Sequence, residues 1–409
     1  MTVTPSAVAI YFRMFSPYIL ARINGAAARM PVVGIEGSRR STVYAWEPRV
    51  GEERFARLTL FSDGAIDDKP AAEMVGAVRK ALDEANPAVV CITGWSHSEA
   101  LAMLSWAREH GRPVVMMSES TAHDATRSFL REAIKRHIVG LCDAALVGGE
   151  AQRAYVAALG MPAERIFIGY DAVDNDFFAA GAAIARGDAV ATRARLDLPE
   201  HYFLTSCRFI AKKNLARLLD AFAAYRAAVG IGAWHLVLVG DGELRADLEA
   251  QAQALALGIG DAVHFMGFRQ YDDLPAFYGL AGGFVHVSTV EQWGLVVNEA
   301  LAAGLPVIVS RTSGCVGDLV AEGVNGWTVD PLDVAAMTAR LTDLAAPATD
   351  RAAMGLAGAR IVADYGPDRF GDGLAAAIAC TKGAAPRRAG WLSRWLLARL
   401  AARNTRDGG

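Results

Sequence analysis

Short β-branched runs alternate with longer stretches of helical apolar spacing along nearly the whole chain, and no other feature restricts its folding so strongly. AVAIYF (7–12) reads as a first strand, AVVCIT (88–93) as a buried one and PVVMMS (113–118) as another. Between them, AAEMVGAVRKALDEA (71–85) and SEALAMLSWAREHG (98–111) carry apolar residues at helical spacing, the second closing on Gly111 and Pro113. DAALVGG (143–149) is a later strand. Residues 181–199 are small, polar and unpatterned, and are expected to be a linker. The alternation then restarts: strand YFLTSCRF, helix NLARLLDAFAAYRAA, strand WHLVLVG, helix LRADLEAQAQALALG, then strands VHFMG, GFVHVST and LPVIVS with helices between them. Strands reached across a helix pair in parallel, so the pattern predicts an α/β fold of two Rossmann-like parallel-sheet domains. They would cover 1–180 and 200–375 and face a central cleft at the carboxyl ends of their strands, where open α/β sheets bind ligands.

Composition narrows the class. A chain of 409 residues exceeds one ordinary core, in line with two domains. With 53% hydrophobic and 21% charged residues it has a globular composition. A net charge of -3 gives no global reason to expect nucleic acid. The five cysteines form no Cys-x-x-Cys pair, which argues against zinc or a disulfide scaffold and fits a reducing cytoplasm. No basic region precedes an apolar run at the N-terminus, so no signal peptide is expected, and no apolar stretch reaches the roughly 18 residues of a membrane span.

The functional signal is densest in STVEQWGLVVNEALAAGLPVIVS (288–310). Glu291 lies in the loop after a strand, a helix begins near Gly294, and Glu299 stands over one turn inside it. A helix start offers unpaired amides and a favourable dipole to an anion, and Gly294 allows close approach of a ligand to the backbone. Carboxylates beside such a site fit hydroxyl pairs on either side of a phosphate, which describes a nucleotide-sugar. SCRFIAKKN (206–214) adds Arg208 and Lys213 across one turn, able to neutralise a diphosphate without metal. VGDGELRADLE (239–249) adds a glycine-punctuated turn at Gly240 and Gly242 that opens a helix. It lacks the third glycine of a dinucleotide fingerprint. The competing reading is solvated helix-end carboxylates and a surface ion pair. The joint occurrence of these elements at strand ends favours ligand binding.

GDGELRADLE, VHFMGF, the 288–310 stretch and DLVAEGVNGWTVDPLD resemble the C-terminal half of family 4 glycosyltransferases, retaining enzymes of the GT-B architecture. The resemblance is dense over roughly 200–375. It implies that Glu291 touches donor-sugar hydroxyls, that Glu299 holds the ribose, and that Arg208 and Lys213 hold the diphosphate. It also implies that backbone amides at Gly294 and Leu295 assist, and that Phe265 and Phe268 lie in the segment lining the base. No metal cofactor is implied. Cys207 departs from the family, which usually has Gly before the Arg.

The N-terminal half resembles the family loosely. FSPYILARINGAAAR (15–29) stands where many members have a glycine-rich loop. Glu119 and His123 fall near the position of a histidine that many members place at the reacting carbon. Tyr18 and His97 are expected on the acceptor side, His97 alternatively as a helix cap. The Asp-x-Asp of VDND (173–176) is better read as turn and cap residues than as a metal–diphosphate site. The 376–409 tail contains a basic amphipathic helix over 386–406, with Trp391, Trp395, Leu396 and Leu400 alternating with Arg394, Arg399 and Arg403. Such a helix suits a membrane surface or packs on the body.

The resulting expectation is a retaining glycosyltransferase moving a sugar from a nucleoside diphosphate-sugar to an acceptor hydroxyl of a lipid-linked, envelope or exopolysaccharide glycan. It would be cytoplasmic and peripheral on the inner face of the membrane. The rival readings are a nucleotide-sugar epimerase or sugar phosphorylase on the same architecture, and a non-catalytic nucleotide-sugar-binding protein.

Overall fold

The computed structural model of the chain describes residues 7–41, 46–254, 259–382 and 388–402. It divides into two compact units, one built from the chain up to Ala172 and from Gly366 onward, the other from Val173–Tyr365. The first unit holds β1 (Val8–Phe12), β2 (Val32–Arg40), β3 (Ala56–Ala65), β4 (Val89–Thr93), β5 (Val114–Ser118), β6 (Ala144–Val147) and β7 (Ile166–Ile168). They form one seven-stranded sheet in the order β3-β2-β1-β4-β5-β6-β7, every pair parallel. The second unit holds β8 (Tyr202–Ser206), β9 (His235–Val239), β10 (Val263–Gly267), β11 (Gly283–His286), β12 (Val307–Ser310) and β13 (Gly326–Val329). These form a six-stranded parallel sheet in the order β10-β9-β8-β11-β12-β13.

Both orders reverse direction once, between β1 and β4 and between β8 and β11. At such a switch point the loops after the two neighbouring strands turn opposite ways and leave a crevice at the carboxyl ends. The strands read as continuous apolar runs because both faces are covered. In β1 the alternation is exact in outcome: Ala9 and Tyr11 join one core cluster with Leu82, Leu101 and Trp106. Val8, Ile10 and Phe12 join another with Leu20, Ile23 and Phe370.

β2 escapes an apolar pattern because its VVGIEGSRR carries an inward glutamate. Glu36 is fully buried, accepts from the Phe15 amide at 2.9 Å and is paired with Arg57 at 2.8 Å. The expected linker over 181–199 is a correction: it forms the helices Asn175–Gly187 and Ala189–Leu196. Its small residues are a packing surface. A Cβ on Gly181 would meet Pro275 Cβ at 2.5 Å, and one on Gly279 would meet the Ala182 carbonyl oxygen at 2.7 Å. Helices this close need no large apolar side chains, which is why the stretch shows little hydrophobic period. Asp174 accepts from the Phe177 amide at 3.0 Å, so VDND contains a helix cap.

The tail belongs with the first unit. Phe370, Leu374 and Ala377 of the helix Pro367–Thr381 are buried in the same cluster as Leu20 and Ile23. The last described helix, Trp391–Ala401, seats Leu397 and Ala401 in the cluster that includes Leu101, Leu104 and Trp106. Trp391, Leu392 and Trp395 remain exposed, at 75%, 59% and 55%. Arg403 lies outside the described residues.

Candidate functional site

The loops after β8 and β11, on either side of the second sheet's switch point, carry four of the residues singled out by sequence: Arg208, Lys213, Glu291 and Gly294. The β8 loop runs into a 3-10 turn at Ala211–Lys213 and then to Asn214, whose φ of 61° is left-handed, a conformation that asparagine tolerates. The Asn214 side chain donates to the Val287 carbonyl at 3.1 Å and to that of Pro331 at 2.6 Å, and the Thr289 amide donates to the Lys212 carbonyl at 2.8 Å. The bonds to Val287 and from Thr289 fasten the two loops together, and the bond to Pro331 ties Asn214 to the segment after β13.

At their junction Lys213 Nζ donates to Glu291 Oε2. The same oxygen lies 3.1 Å from His286 Nε2 and 3.2 Å from Ser288 Oγ. Burial alone would raise the Glu291 carboxyl. The hydrogen bond from His286 and the charge of Lys213 outweigh it and hold this carboxyl well below the usual carboxylate range. Burial lowers His286 against the opposing pull of Glu291, and because a carboxylate oxygen only accepts, Nε2 is the donor in this contact. His286 and Ser288 are neighbours of Glu291 that the sequence reading missed. The available signal was two polar residues spaced i, i+2 at the end of the apolar strand GFVHVST, directly ahead of the glutamate.

Behind Glu291 the backbone is braced. The Gly314 amide donates to the Glu291 carbonyl at 3.1 Å, and Trp293 Nε1 donates to Asn298 Oδ1 at 2.9 Å. Gly294 precedes the helix Leu295–Ala302 with φ 106° and ψ 64°, where a side chain would be strained. A Cβ there would sit 3.4 Å from Glu291 Cγ and 3.6 Å from His286 Nε2. Leu295 opens the helix, so its amide belongs to the turn whose N–H groups lack intrahelical partners. Glu299 is 1% exposed, and Tyr278 Oη donates to its Oε2 at 2.6 Å. Tyr278 is a third neighbour absent from the sequence reading.

The remaining residues expected at the donor have other visible duties. Gly240 has φ 133°, and a Cβ on it would fall 1.9 Å from the Cys207 carbonyl oxygen. A Cβ on Gly242 would meet the Phe209 carbonyl oxygen at 2.6 Å. Both glycines let the β9 turn press on the loop that carries Arg208. Cys207 adopts no left-handed backbone, so the turn accepts a side chain there, and burial pushes its thiol up to about 12. Phe265 lies edge-on to Phe209 at 6.1 Å between ring centroids, and Phe268 is partly exposed.

In the first unit the switch point lies between β1 and β4, and a second cluster occupies it. Arg13, immediately after β1, places Nη1 3.1 Å from His97 Nδ1, Nε 3.1 Å from Glu99 Oε1 and Nη2 3.2 Å from Asp67 Oδ1. His97 stands at the start of the helix Ser98–Glu109 but its side chain makes no cap bond. Burial lowers its pKa, although Glu99 pulls the other way. Arg13 was not anticipated. The segment after β1, glycine-rich in many family members and without paired glycines here, is clamped, with the Ser38 amide donating to the Arg13 carbonyl at 3.0 Å and Glu36 holding the Phe15 amide. Tyr18 lies in the helix Pro17–Ala27, edge-on to Trp46 at 6.0 Å. Glu119 follows β5 half-buried, and His123 is exposed, its amide donating to Thr121 Oγ1 at 3.3 Å.

The family described as "Glycosyl transferases group 1" matches residues 191–360, and the "Glycosyl transferase 4-like domain" matches 19–170. The GDP-mannose-dependent alpha-(1-6)-phosphatidylinositol monomannoside mannosyltransferase of Mycolicibacterium smegmatis is 34% identical over 158 residues, 37% of this chain and 40% of that one. The corresponding dimannoside mannosyltransferase of Mycobacterium tuberculosis is 30% identical over 263 residues, 61% of this chain and 64% of that one. The match thus spans less than two thirds of either relative. Among solved structures, Anabaena HepE in complex with UDP and glucose is similar with a TM-score of 0.69 at 16% identity, over 91% of this chain and 99% of that one. At that identity the likeness is one of fold.

Proposed function

This chain belongs to the group 1 glycosyltransferases and has their GT-B pair of parallel α/β units, and on that premise we propose that it transfers a sugar, with retention, from a nucleoside diphosphate-sugar to a hydroxyl of a glycan or lipid-linked acceptor. The observation that carries the reading is the Lys213–Glu291 pair beside Gly294 at the switch point of the second sheet. A lysine ammonium has three donor hydrogens. One reaches Glu291, and the others are available to a phosphate. Lys213, Arg208 and the amides at Gly294 and Leu295 would stabilise the charge that builds on the departing diphosphate. Glu291 would fix the sugar, leaving its second oxygen for sugar hydroxyls, and Glu299 would take the ribose in an orientation set by Tyr278. The acceptor proton would pass to the leaving diphosphate, which needs no protein nucleophile. Basic side chains rather than a metal ion would neutralise the phosphates, so turnover would survive a chelator.

The first unit's Arg13–His97 cluster supports an acceptor site at its own switch point. The two mannosyltransferases among the relatives act on phosphatidylinositol mannosides by name, which supports a lipid-linked acceptor. No helix among the described residues is long and apolar enough to cross a membrane. Exposed Trp391, Leu392 and Trp395, beside Arg394 and Arg399, support contact with an anionic bilayer on its cytoplasmic side.

The test is a binding and turnover panel of UDP-, GDP-, ADP- and TDP-sugars with and without EDTA. A transferase binds one donor tightly, hydrolyses it slowly without acceptor and forms a product of unchanged anomeric configuration with one. Conversion of donor with no acceptor would indicate an epimerase, and release of sugar phosphate on adding inorganic phosphate a phosphorylase. Binding with neither transfer nor hydrolysis would indicate a non-catalytic protein.

A further inference from the structure

We propose that His286 is a positioning residue for the donor sugar: with Ser288 it holds one oxygen of Glu291 so that the other is presented to the sugar. The inference rests on the donor-sugar role of Glu291 given above. Three donors converge on Glu291 Oε2, namely Lys213 Nζ, His286 Nε2 and Ser288 Oγ. Under the proposed function, one of these, Lys213, must also serve the diphosphate. It sits on a long stem, and an ammonium on such a stem fixes position poorly. The other two are built into the fold. His286 is the last residue of β11 and is 1% exposed, its ring parallel to that of Phe284 at 6.4 Å. Ser288 is fully buried. A ring locked in this way has one orientation, so its N–H fixes the carboxylate plane whatever Lys213 does.

Gly294 completes the arrangement. A Cβ there would lie 3.6 Å from His286 Nε2 and 3.4 Å from Glu291 Cγ, at ordinary contact distance, so the helix start stands directly against both the imidazole and the carboxylate. Lys213 and the helix start would answer to the diphosphate, common to every nucleotide. His286 and Ser288 answer only to the part of the donor that Glu291 touches. Losing them is therefore selective: the free nucleoside diphosphate is held as before, and the sugar nucleotide is held less well.

The experiment compares the wild-type chain with His286→Leu, His286→Gln and Ser288→Ala, measuring affinity for UDP and GDP and for UDP-glucose and GDP-mannose by calorimetry, with unfolding curves as a check on folding. In the pair that wild type binds, His286→Leu should keep nucleoside diphosphate affinity within about twofold and lose about tenfold for the sugar nucleotide. The Gln side chain retains an N–H donor, so His286→Gln should recover most of that loss. Ser288→Ala should show a smaller loss of the same selectivity. Equal losses for nucleotide and sugar nucleotide would make His286 a structural residue and overturn the proposal, as would a folded His286→Leu that binds sugar nucleotide like wild type. If His286→Leu does not fold, Ser288→Ala decides, and unchanged sugar-nucleotide affinity there overturns it. A wild-type chain that binds no sugar nucleotide removes the parent reading itself, a result separate from all of these.

Discussion

Lys213 and Glu291 neutralise one another across 78 positions of sequence, and their side chains are only 14% and 15% exposed. A carboxyl held below its ordinary range contributes stability that is fully present above its unfolded value and is lost as pH falls through its folded value. Lys213→Met should therefore cost about 2 kcal/mol at pH 7, discounted from the full buried-pair figure for the remaining exposure. The difference from wild type should narrow as pH drops toward 4, because Glu291 takes up its proton earlier once the lysine is gone. Urea unfolding of both chains at pH 7 and pH 4 checks the sign. Under the proposed function the same substitution should lower kcat by at least ~10²-fold in steady-state assays. At this scale the proximity was legible: the charged residues and the glycine picked out at strand ends, Lys213, Glu291 and Gly294, do lie together. The identity of the third party, His286, was hidden because a histidine inside an apolar strand looks like any core histidine until its neighbours are known.

Among the elements, the helix Leu295–Ala302 begins with strain that only glycine relieves. Gly294→Ala should cost about 1–2 kcal/mol through the left-handed backbone alone. It also shifts the backbone whose amides would meet the diphosphate under the proposed function, so nucleoside diphosphate affinity should fall by about tenfold or more while the fold persists. Calorimetry with the nucleotide that wild type binds, beside a melting curve, separates the two effects. The helix Trp391–Ala401 divides its roles by face. Leu397 and Ala401 are core, so deleting the helix would uncover apolar surface and confuse any test of membrane binding. Trp391→Ser with Trp395→Ser leaves that seat intact and should reduce sedimentation with anionic phosphatidylglycerol vesicles by about fivefold or more, without changing the melting temperature by more than about 2 °C. The sequence displayed the amphipathic pattern but could not say which stripe was already taken. Arginine and tryptophan spacing looks alike for a helix lying on its own domain and one lying on lipid. The helices in place of the expected linker were missed for a related reason. Alanine and glycine leave no hydrophobic period, yet they are what allows the helix Asn175–Gly187 to lie against Pro275 and Gly279.

For the whole molecule, the chain leaves its first unit at Ala172 and returns to it at Gly366. The returning helix Pro367–Thr381 fills one face of the first sheet with Phe370, Leu374 and Ala377. Ending the chain after Tyr365 should therefore unfold the first unit selectively, and limited proteolysis should cut within 7–172 while a fragment near 173–365 survives. By itself the sequence determined that there would be two parallel sheets, where strands β1, β4, β5, β6, β8, β9, β10, β11 and β12 would fall, and which loops would hold charge. Those properties follow from local periodicity and from residue types fixed at strand ends. Only the tertiary structure decided the strand order with its two switch points, the seat of the C-terminal helices, and the convergence of three donors on one glutamate oxygen. Each of these depends on contacts between residues far apart in the chain, whose partners are chosen by shape and by the burial of charge, and local spacing carries no record of either.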